Sequence, residues 1–119
     1  MITIDEMTDM LDEIAETFPP KLFYKLNGGI NVLPDVKLNP RGPGLYILGE
    51  YHYDSIFGRS IIMYYGSISL IYGHVGKEQM KAQLSSILKH EFRHHLESLA
   101  GDRSLEIDDE LWIRKFLND

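Results

Sequence analysis

The stretch Leu88 to Gly101 reads LKHEFRHHLESLAG and contains the pattern HExxH at His90, Glu91 and His94. Residues four apart on a helix lie one turn above each other, so both imidazoles can face one metal ion. Glu91 projects about 100° round the helix from His90, which lets its carboxylate take a proton from metal-bound water. The pattern therefore predicts a metal site that is carried by a single helix.

The helix around this motif is predicted to run from Lys77 to about Ala100, with Gly101 as its stop. Its apolar face is formed by Met80, Leu84, Ile87 and Leu88. On a helical wheel, His90 and His94 fall at the border of that face, and half-sheltered imidazoles suit a metal site at the floor of a cleft. Glu91 falls inside the face, where an unpaired carboxylate is costly unless it meets metal-bound water or a hydrogen-bond donor.

The HExxH spacing supplies two histidine ligands and does not identify the third metal ligand. Glu97 lies beside the first histidine on the wheel, and it can either complete a two-histidine, one-carboxylate set or orient a histidine from outside that set. Asp102 and Glu106, beyond the end of the helix, are the next candidates. The alternative to a metal site is a solvated helix face whose histidines pair with Glu91 or Glu97. His95 points toward the apolar side, so we expect a buried, hydrogen-bonded histidine there.

Composition indicates one ordinary globular domain that spans residues 1–119, with 44% hydrophobic and 25% charged residues. The chain has no cysteine, which excludes disulfides, a cysteine nucleophile and thiolate metal ligands. A net charge of −6 argues against nucleic-acid binding. The longest uncharged stretch, Ser60 to Gly76, is too short and polar to span a membrane, and the acidic N-terminus is unlike a secretory signal. We therefore expect no membrane partner and a cytoplasmic location.

The regions before the motif predict one helix and a small sheet. Thr3 and Glu6 form a capping-box pattern, and the helix that they begin should stop at Pro19 and Pro20. A short second helix is expected over Lys21 to Leu26. A strand is expected within Ile30 to Leu38, where Pro34 either confines it to a sheet edge or interrupts it.

A hairpin should follow these elements. Its strands are expected over Leu45 to Tyr53 and Arg59 to Tyr65, joined by Asp54 to Gly58. A last helix is expected around Glu110 to Leu117. The fold class is therefore α+β, with a small mixed sheet packed on the N-terminal helix and the long motif-bearing helix.

Three segments together carry a resemblance to a known family. LKHEFRHHLESLAG is preceded by GRSIIMYYGS over residues 58–67 and followed by LEIDDE over residues 105–110. In this arrangement the chain resembles the small bacterial zincin-like metallopeptidase family. The resemblance implies a compact zincin-type fold, a zinc cofactor held by His90 and His94, and Glu91 as the general base.

The chain departs from the family pattern after the second histidine. The pattern continues as HExxHxxGxxD, whereas this chain has Glu97 at the glycine position and Ala100 at the aspartate position. If Gly101 is the displaced turn, the third residue after it is Ser104, which does not ligate zinc. The two histidines therefore carry over and the third ligand does not. Glu97 is the first choice, followed by the two carboxylates beyond the helix.

The leading hypothesis is a zinc-dependent metallopeptidase that hydrolyses peptide bonds in a peptide or protein substrate. A neighbouring strand, expected to be Arg59 to Tyr65, would hold the substrate by main-chain hydrogen bonds. The alternative is a non-catalytic, zincin-shaped protein-interaction module whose metal is structural or absent. A non-haem iron oxygenase also uses two histidines and a carboxylate, but it ranks last because this chain lacks the strands of a barrel. The sequence predicts neither the particular substrate nor the oligomeric state.

Overall fold

The computed structural model describes residues 1–118 and shows an α+β domain, as expected. Within these residues the helices are α1 (Ile4–Thr17), a short 3₁₀ helix (Pro20–Phe23), α2 (Tyr65–Tyr72), α3 (Lys77–Gly101) and α4 (Ile107–Asn118). The strands are β1 (Gly29–Leu33), β2 (Lys37–Leu38), β3 (Tyr46–Ile47), β4 (Gly49–Asp54) and β5 (Gly58–Tyr64).

Helix α1 begins at the predicted capping box. The Glu6 amide donates to the Thr3 hydroxyl at 3.1 Å, and the Thr3 amide donates back to the Glu6 carboxylate at 3.0 Å. Each bond satisfies a backbone donor that the first helical turn leaves unpaired. The apolar stripe of α1 is buried at Met7, Leu11 and Ile14. This confirms the sequence prediction for the N-terminal helix.

The main sheet has the strand order β1-β5-β4 and mixed pairing. Strands β4 and β5 form the expected antiparallel hairpin, in which Tyr51 pairs with Ile61. The expected strand Leu45 to Tyr53 is divided, however, because β3 pairs with β2 in a separate two-stranded sheet. Strand β1 pairs with β5 in parallel and lies at the other edge of the sheet. It ends at Leu33, directly before Pro34, as predicted from the proline. Because β5 lies between two strands, the expectation that Arg59 to Tyr65 forms a substrate-binding edge was wrong. Strand β4 is the edge on that side.

Helix α2 was not predicted. Sequence analysis placed Tyr65 at the end of a strand and expected no helix between Tyr65 and Lys77, whereas the chain turns into α2 at Tyr65. The segment YGSISLIY has β-branched and apolar residues without a single stripe, and no side chain caps its start. Its helical form is instead stabilised by packing, since Ile68 is completely buried. Tertiary contacts here outweigh local preference.

Helix α3 packs against α1, α4 and both strands of the hairpin. Phe92 on α3 meets Phe18, the residue directly after α1, and Phe23 of the 3₁₀ helix edge-on, with ring centroids 5.7 Å and 5.2 Å apart. The motif-bearing helix is therefore also the centre of the core. No helix among residues 1–118 is long and apolar enough to cross a membrane.

Candidate metal centre

His90 and His94 lie one turn apart on α3, with ring centroids 5.0 Å apart and ring planes nearly perpendicular. Both residues are exposed, and half of the His94 side chain is accessible to solvent, so they are less sheltered than the wheel predicted. Partial desolvation, followed by repulsion from His94 and Arg93, lowers the pKa of His90. This favours the neutral imidazole, which is the form that binds a metal ion.

Glu91 lies in the apolar face of α3, as expected, and is only 5% exposed. A Cβ atom added at Gly49 would lie 3.2 Å from its Oε2 atom, so β4 passes directly over the carboxylate. Burial, and then the negative charge of Glu50, raises the pKa of Glu91 to about 7. Among the side-chain hydrogen bonds of residues 1–118, none involves this carboxylate. The site therefore has a desolvated acid without a donor beside two imidazoles.

A cleft of about 640 Å³ lies over this part of the helix, between α3 and β4. Its lining residues are Ile47, Gly49, Glu50, Tyr51, His90, Glu91, His94, Glu97 and Ser98. The Tyr64 amide donates to the Leu48 carbonyl at 2.9 Å. From this pair onward, every second residue of β4 is hydrogen-bonded to β5 through its backbone. The peptide groups of Gly49 and Tyr51 consequently face away from β5. The cleft is therefore bordered by outward-facing backbone donors and acceptors.

The structure places Glu97 in this cleft and the other two candidate ligands elsewhere. Glu97 Oε2 lies 3.8 Å from His94 Nδ1, and both side chains are exposed. Asp102 instead accepts a hydrogen bond from Arg59, and Glu106 lines a different pocket. Within residues 1–118, no three His, Asp or Glu side chains are grouped closely enough to hold a metal ion.

Sequence analysis missed Glu50, the second residue of β4. Its carboxylate accepts hydrogen bonds from Lys37 of β2 and the Tyr64 hydroxyl, and His52 Nε2 lies 3.6 Å away. Burial alone would raise the pKa of Glu50, but the bonds from Lys37 and Tyr64 outweigh it and lower the pKa. A carboxylate between the glycine and the tyrosine that begin the strand-forming run GEYHYD was the signal that could have indicated this residue.

His95 is a buried, hydrogen-bonded histidine, as predicted, with 1% of its surface exposed. Its Nε2 atom lies 2.8 Å from the Tyr24 carbonyl, which can only accept, so Nε2 carries the proton. Nδ1 then accepts from the Tyr51 hydroxyl at 2.8 Å. Burial lowers the pKa of His95 and favours this neutral form. The bond to Tyr51 fixes β4 to α3 directly behind the cleft.

The donor set is chemically suited to zinc, because zinc prefers imidazole nitrogen and carboxylate oxygen where thiolate is lacking. His90 and His94 are in place for this role on one helical face. Glu97 is near enough to join them only if its exposed side chain changes rotamer. His90 and His94 therefore fit the role of zinc ligands as they stand, and Glu97 fits it only after its side chain rotates.

Comparison with known proteins supports the fold. No family model and no curated protein matches the chain. A solved structure of a conserved hypothetical protein (TTHA0227) from Thermus thermophilus is 32% identical, with a TM-score of 0.72, and the match covers 84% of this chain and 99% of that one. This chain belongs to the same family as that protein. The name of the neighbour states no activity, so its function remains a separate question.

Proposed function

We propose that this protein is a zinc-dependent metallopeptidase in which Glu91 acts as the general base. One observation carries the proposal: the Glu91 side chain, 5% exposed and without a side-chain hydrogen bond among residues 1–118, opens into the cleft beside His90 and His94, under the edge strand β4. A largely desolvated carboxylate costs free energy, and such a cost is typically retained where the group has a chemical task.

The two imidazoles would hold the ion, with Glu97 as the third ligand. A bound zinc ion would polarise the scissile carbonyl and lower the pKa of its water. The chain's own requirement is that both histidines stay neutral and keep their spacing. Helix α3 maintains this spacing because its opposite face is anchored in the core by Leu88 and Phe92.

Glu91 accepts a proton from the attacking water and transfers it to the leaving amine. Its carboxylate is accessible from the cleft because Gly49 has no side chain that would cover it. The outward peptide groups of Gly49 and Tyr51 bind an extended substrate as an additional strand. In this arrangement a substrate peptide bond would lie above the Glu91 carboxylate.

The test is the Glu91→Gln variant, which keeps the size of the side chain and removes its basicity. Purified wild-type protein should carry about one zinc ion per chain. The variant should keep that zinc and lose peptide hydrolysis by about 100-fold or more. Metal analysis and a digest of unstructured peptides measure the two properties, with Glu16→Gln on the exposed side of α1 as the control. Undiminished hydrolysis by Glu91→Gln would remove this residue from the mechanism.

The alternative function is a non-catalytic, zincin-shaped protein-interaction module with a structural or absent metal. The observation that favours it is that residues 1–118 present no preassembled set of three ligands. The same two measurements separate the hypotheses. Bound zinc without any peptide cleavage would support the module, and so would a stably folded protein that binds no zinc and cleaves nothing.

A further inference from the structure

A second cavity lies on the side of α3 that faces the end of α4. It has a volume of about 300 Å³ and is lined by Ala82, Ser85, Ser86, Lys89, Arg93, Leu117 and Asn118. We call it the basic cavity. None of these lining residues is acidic, although the chain as a whole carries a net charge of −6. Two cations therefore share one cavity in an otherwise acidic protein.

The two cations of the basic cavity have no carboxylate partner among residues 1–118. The Lys89 ammonium lies over the Phe116 ring, 4.9 Å from its centre, and makes no hydrogen bond to the described residues. Arg93 donates one hydrogen bond from Nη2 to the Leu117 carbonyl at 2.8 Å. Most of its five guanidinium donors therefore remain free. Like charges four residues apart on a helix repel each other, and an anion between them would remove that cost.

Lys77 and Lys81 form another pair of cations four residues apart on α3, and their surroundings are different. They lie 3.1 Å and 2.8 Å from the carboxylates of Glu6 and Glu13 on α1. Each of these charges is thus already compensated within the protein. The basic cavity lacks this compensation, because no carboxylate is among its lining residues.

The basic cavity adjoins the cleft over Glu91. Toward the N-terminal half of α3, the cleft continues into a part of about 410 Å³ that Ser86 helps to line. Ser86 also lines the basic cavity, so the two spaces meet at this exposed side chain. In addition, Lys89 directly precedes the proposed zinc ligand His90 in the chain. A ligand that fills the cleft can therefore extend into the basic cavity.

Helical geometry gives the separation between the two sites. Arg93 lies about 60° and Lys89 about 100° round α3 from His90, on the side away from Glu91. At the outer radius of a helix, about 5–6 Å, these angles correspond to roughly 5–10 Å along its surface. An extended chain covers that distance with about two or three residues.

We infer that the basic cavity binds an acidic side chain of the peptide substrate, about two or three residues from the bond above Glu91. The inference rests on the proposed function for the position of that bond. The substrate carboxylate would accept charge-assisted hydrogen bonds from Lys89 and Arg93. Glu97 lines the cleft and not the basic cavity, and it forms no ion pair with Arg93 within the described part of the chain. The guanidinium thus keeps donors for the substrate.

Equilibrium binding tests the inference without requiring cleavage. The full chain carries Glu91→Gln, so that fluorescently labelled peptides of about eight residues stay intact. One Glu is placed two or three residues before or after the central bond of an Ala-Ser background, and Gln replaces it in the matched peptides. The best Glu peptide should bind about fivefold more tightly than its Gln counterpart at low salt. Equal affinities in every pair, or no binding of any Glu peptide, would overturn the inference.

Zinc itself attracts acidic peptides, so each titration is done with the zinc-loaded protein and repeated after chelation. The preference for Glu over Gln should persist without the metal, because the basic cavity supplies its own charges. A preference that disappears together with the zinc would belong to the metal and would overturn the inference.

A matched pair of double substitutions locates the site. Lys89→Gln with Arg93→Gln removes both cations of the basic cavity and should abolish the preference for Glu. Lys77→Gln with Lys81→Gln removes the same charge from the same helix, outside the basic cavity and the cleft, and should keep the full preference. Lys89→Gln alone leaves the bond to the Leu117 carbonyl intact, and it should at least halve the preference. A preference that survives both substitutions in the cavity would contradict the assignment.

Asp119, the residue after Asn118, lies outside the described residues and needs its own test. Asp119→Asn, combined with Glu91→Gln, should leave the affinity for the Glu peptides within about twofold. A gain of about fivefold or more would mean that a carboxylate of the chain itself competes for the two cations, and it would overturn the assignment to substrate.

The outcomes for binding and for hydrolysis are separable. Selective binding of Glu peptides by a protein whose zinc-loaded wild type cleaves none of them would support the basic cavity and remove the peptidase. Glu91-dependent cleavage of Glu and Gln peptides at equal rates, together with equal affinities, would support the peptidase and remove the role of the basic cavity.

Discussion

Gly66, the second residue of α2, packs against the backbone that joins β1 to β2. A Cβ atom added there would lie 2.6 Å from the Pro34 carbonyl oxygen and 2.7 Å from that of Asp35. Backbone atoms cannot move aside as a flexible side chain can, so Gly66→Ala should destabilise the protein by about 1–3 kcal/mol. Urea denaturation measures the change. Gly101→Ala is the control, because its added methyl group meets open space and should leave stability unchanged or slightly higher.

Asp102 gives a second residue-level prediction, which concerns pH. Hydrogen bonds from Ser104 and then Arg59 lower the pKa of Asp102 below its ordinary 3.8. A carboxyl group whose folded-state pKa is depressed stabilises the fold above its unfolded pKa, and this contribution is lost as the pH falls through the folded value. Asp102→Asn should therefore be less stable than wild type at neutral pH, and the difference should shrink as the pH falls below 3.8.

Urea midpoints at about pH 7 and about pH 3 measure this difference. Asp9→Asn, on the exposed side of α1, controls for the loss of one negative charge and should match wild type at both pH values. A deficit of Asp102→Asn that is equally large at both pH values would mean that the ion pair with Arg59 does not stabilise the fold.

At the scale of elements, the link between α1, the 3₁₀ helix and α3 depends on the contacts of Phe92. The ring is completely buried and meets two other phenylalanine rings. Phe92→Ala should cost about 3–5 kcal/mol, because it removes buried area and leaves a cavity. Phe57→Ala, at a position 81% exposed, should change stability by about 0.5 kcal/mol or less. Similar urea midpoints for the two variants would contradict the packing.

The elements that sequence patterns predicted are those with strong local signals. The ends of α1 follow from its capping box and the two prolines, and the long α3 follows from its apolar face. The 3₁₀ helix is shorter than Lys21 to Leu26, and α4 begins at Ile107 rather than near Glu110. Helix α2 and the parallel pairing of β1 with β5 depend on distant contacts, which no local pattern encodes.

At the scale of the molecule, zinc should stabilise the whole fold, because the proposed ligands lie on the helix at its centre. Free zinc at about 100 times its Kd should raise the Tm by on the order of 10 °C. Replacing both His90 and His94 with Ala should abolish this increase. His74→Ala, at an exposed histidine outside the cleft, should retain it. Differential scanning fluorimetry measures the shift, and an unchanged increase in the double variant would exclude the histidine pair as the zinc site.

The candidate site was only partly predictable from the sequence. Helical spacing places His90, Glu91 and His94 because all three belong to one element. Glu50 and Gly49 join the site through the packing of β4 on α3, so a helical pattern cannot indicate them. Whether Asp102 could reach the histidines was equally unpredictable, since this depends on Arg59 holding it elsewhere.

The two-residue strands β2 and β3 have far fewer buried contacts than α3, so the free energy of local unfolding should differ between these elements. Amide hydrogens of β2 and β3 should exchange with deuterium through small local openings, whereas those around Phe92 should exchange only when the entire domain unfolds. The part of the cleft that β3 borders through Tyr46 and Ile47 would then open and close many times while α3 holds His90 and His94 in place. A ligand would thus enter the cleft past β3 while helix α3 stays folded.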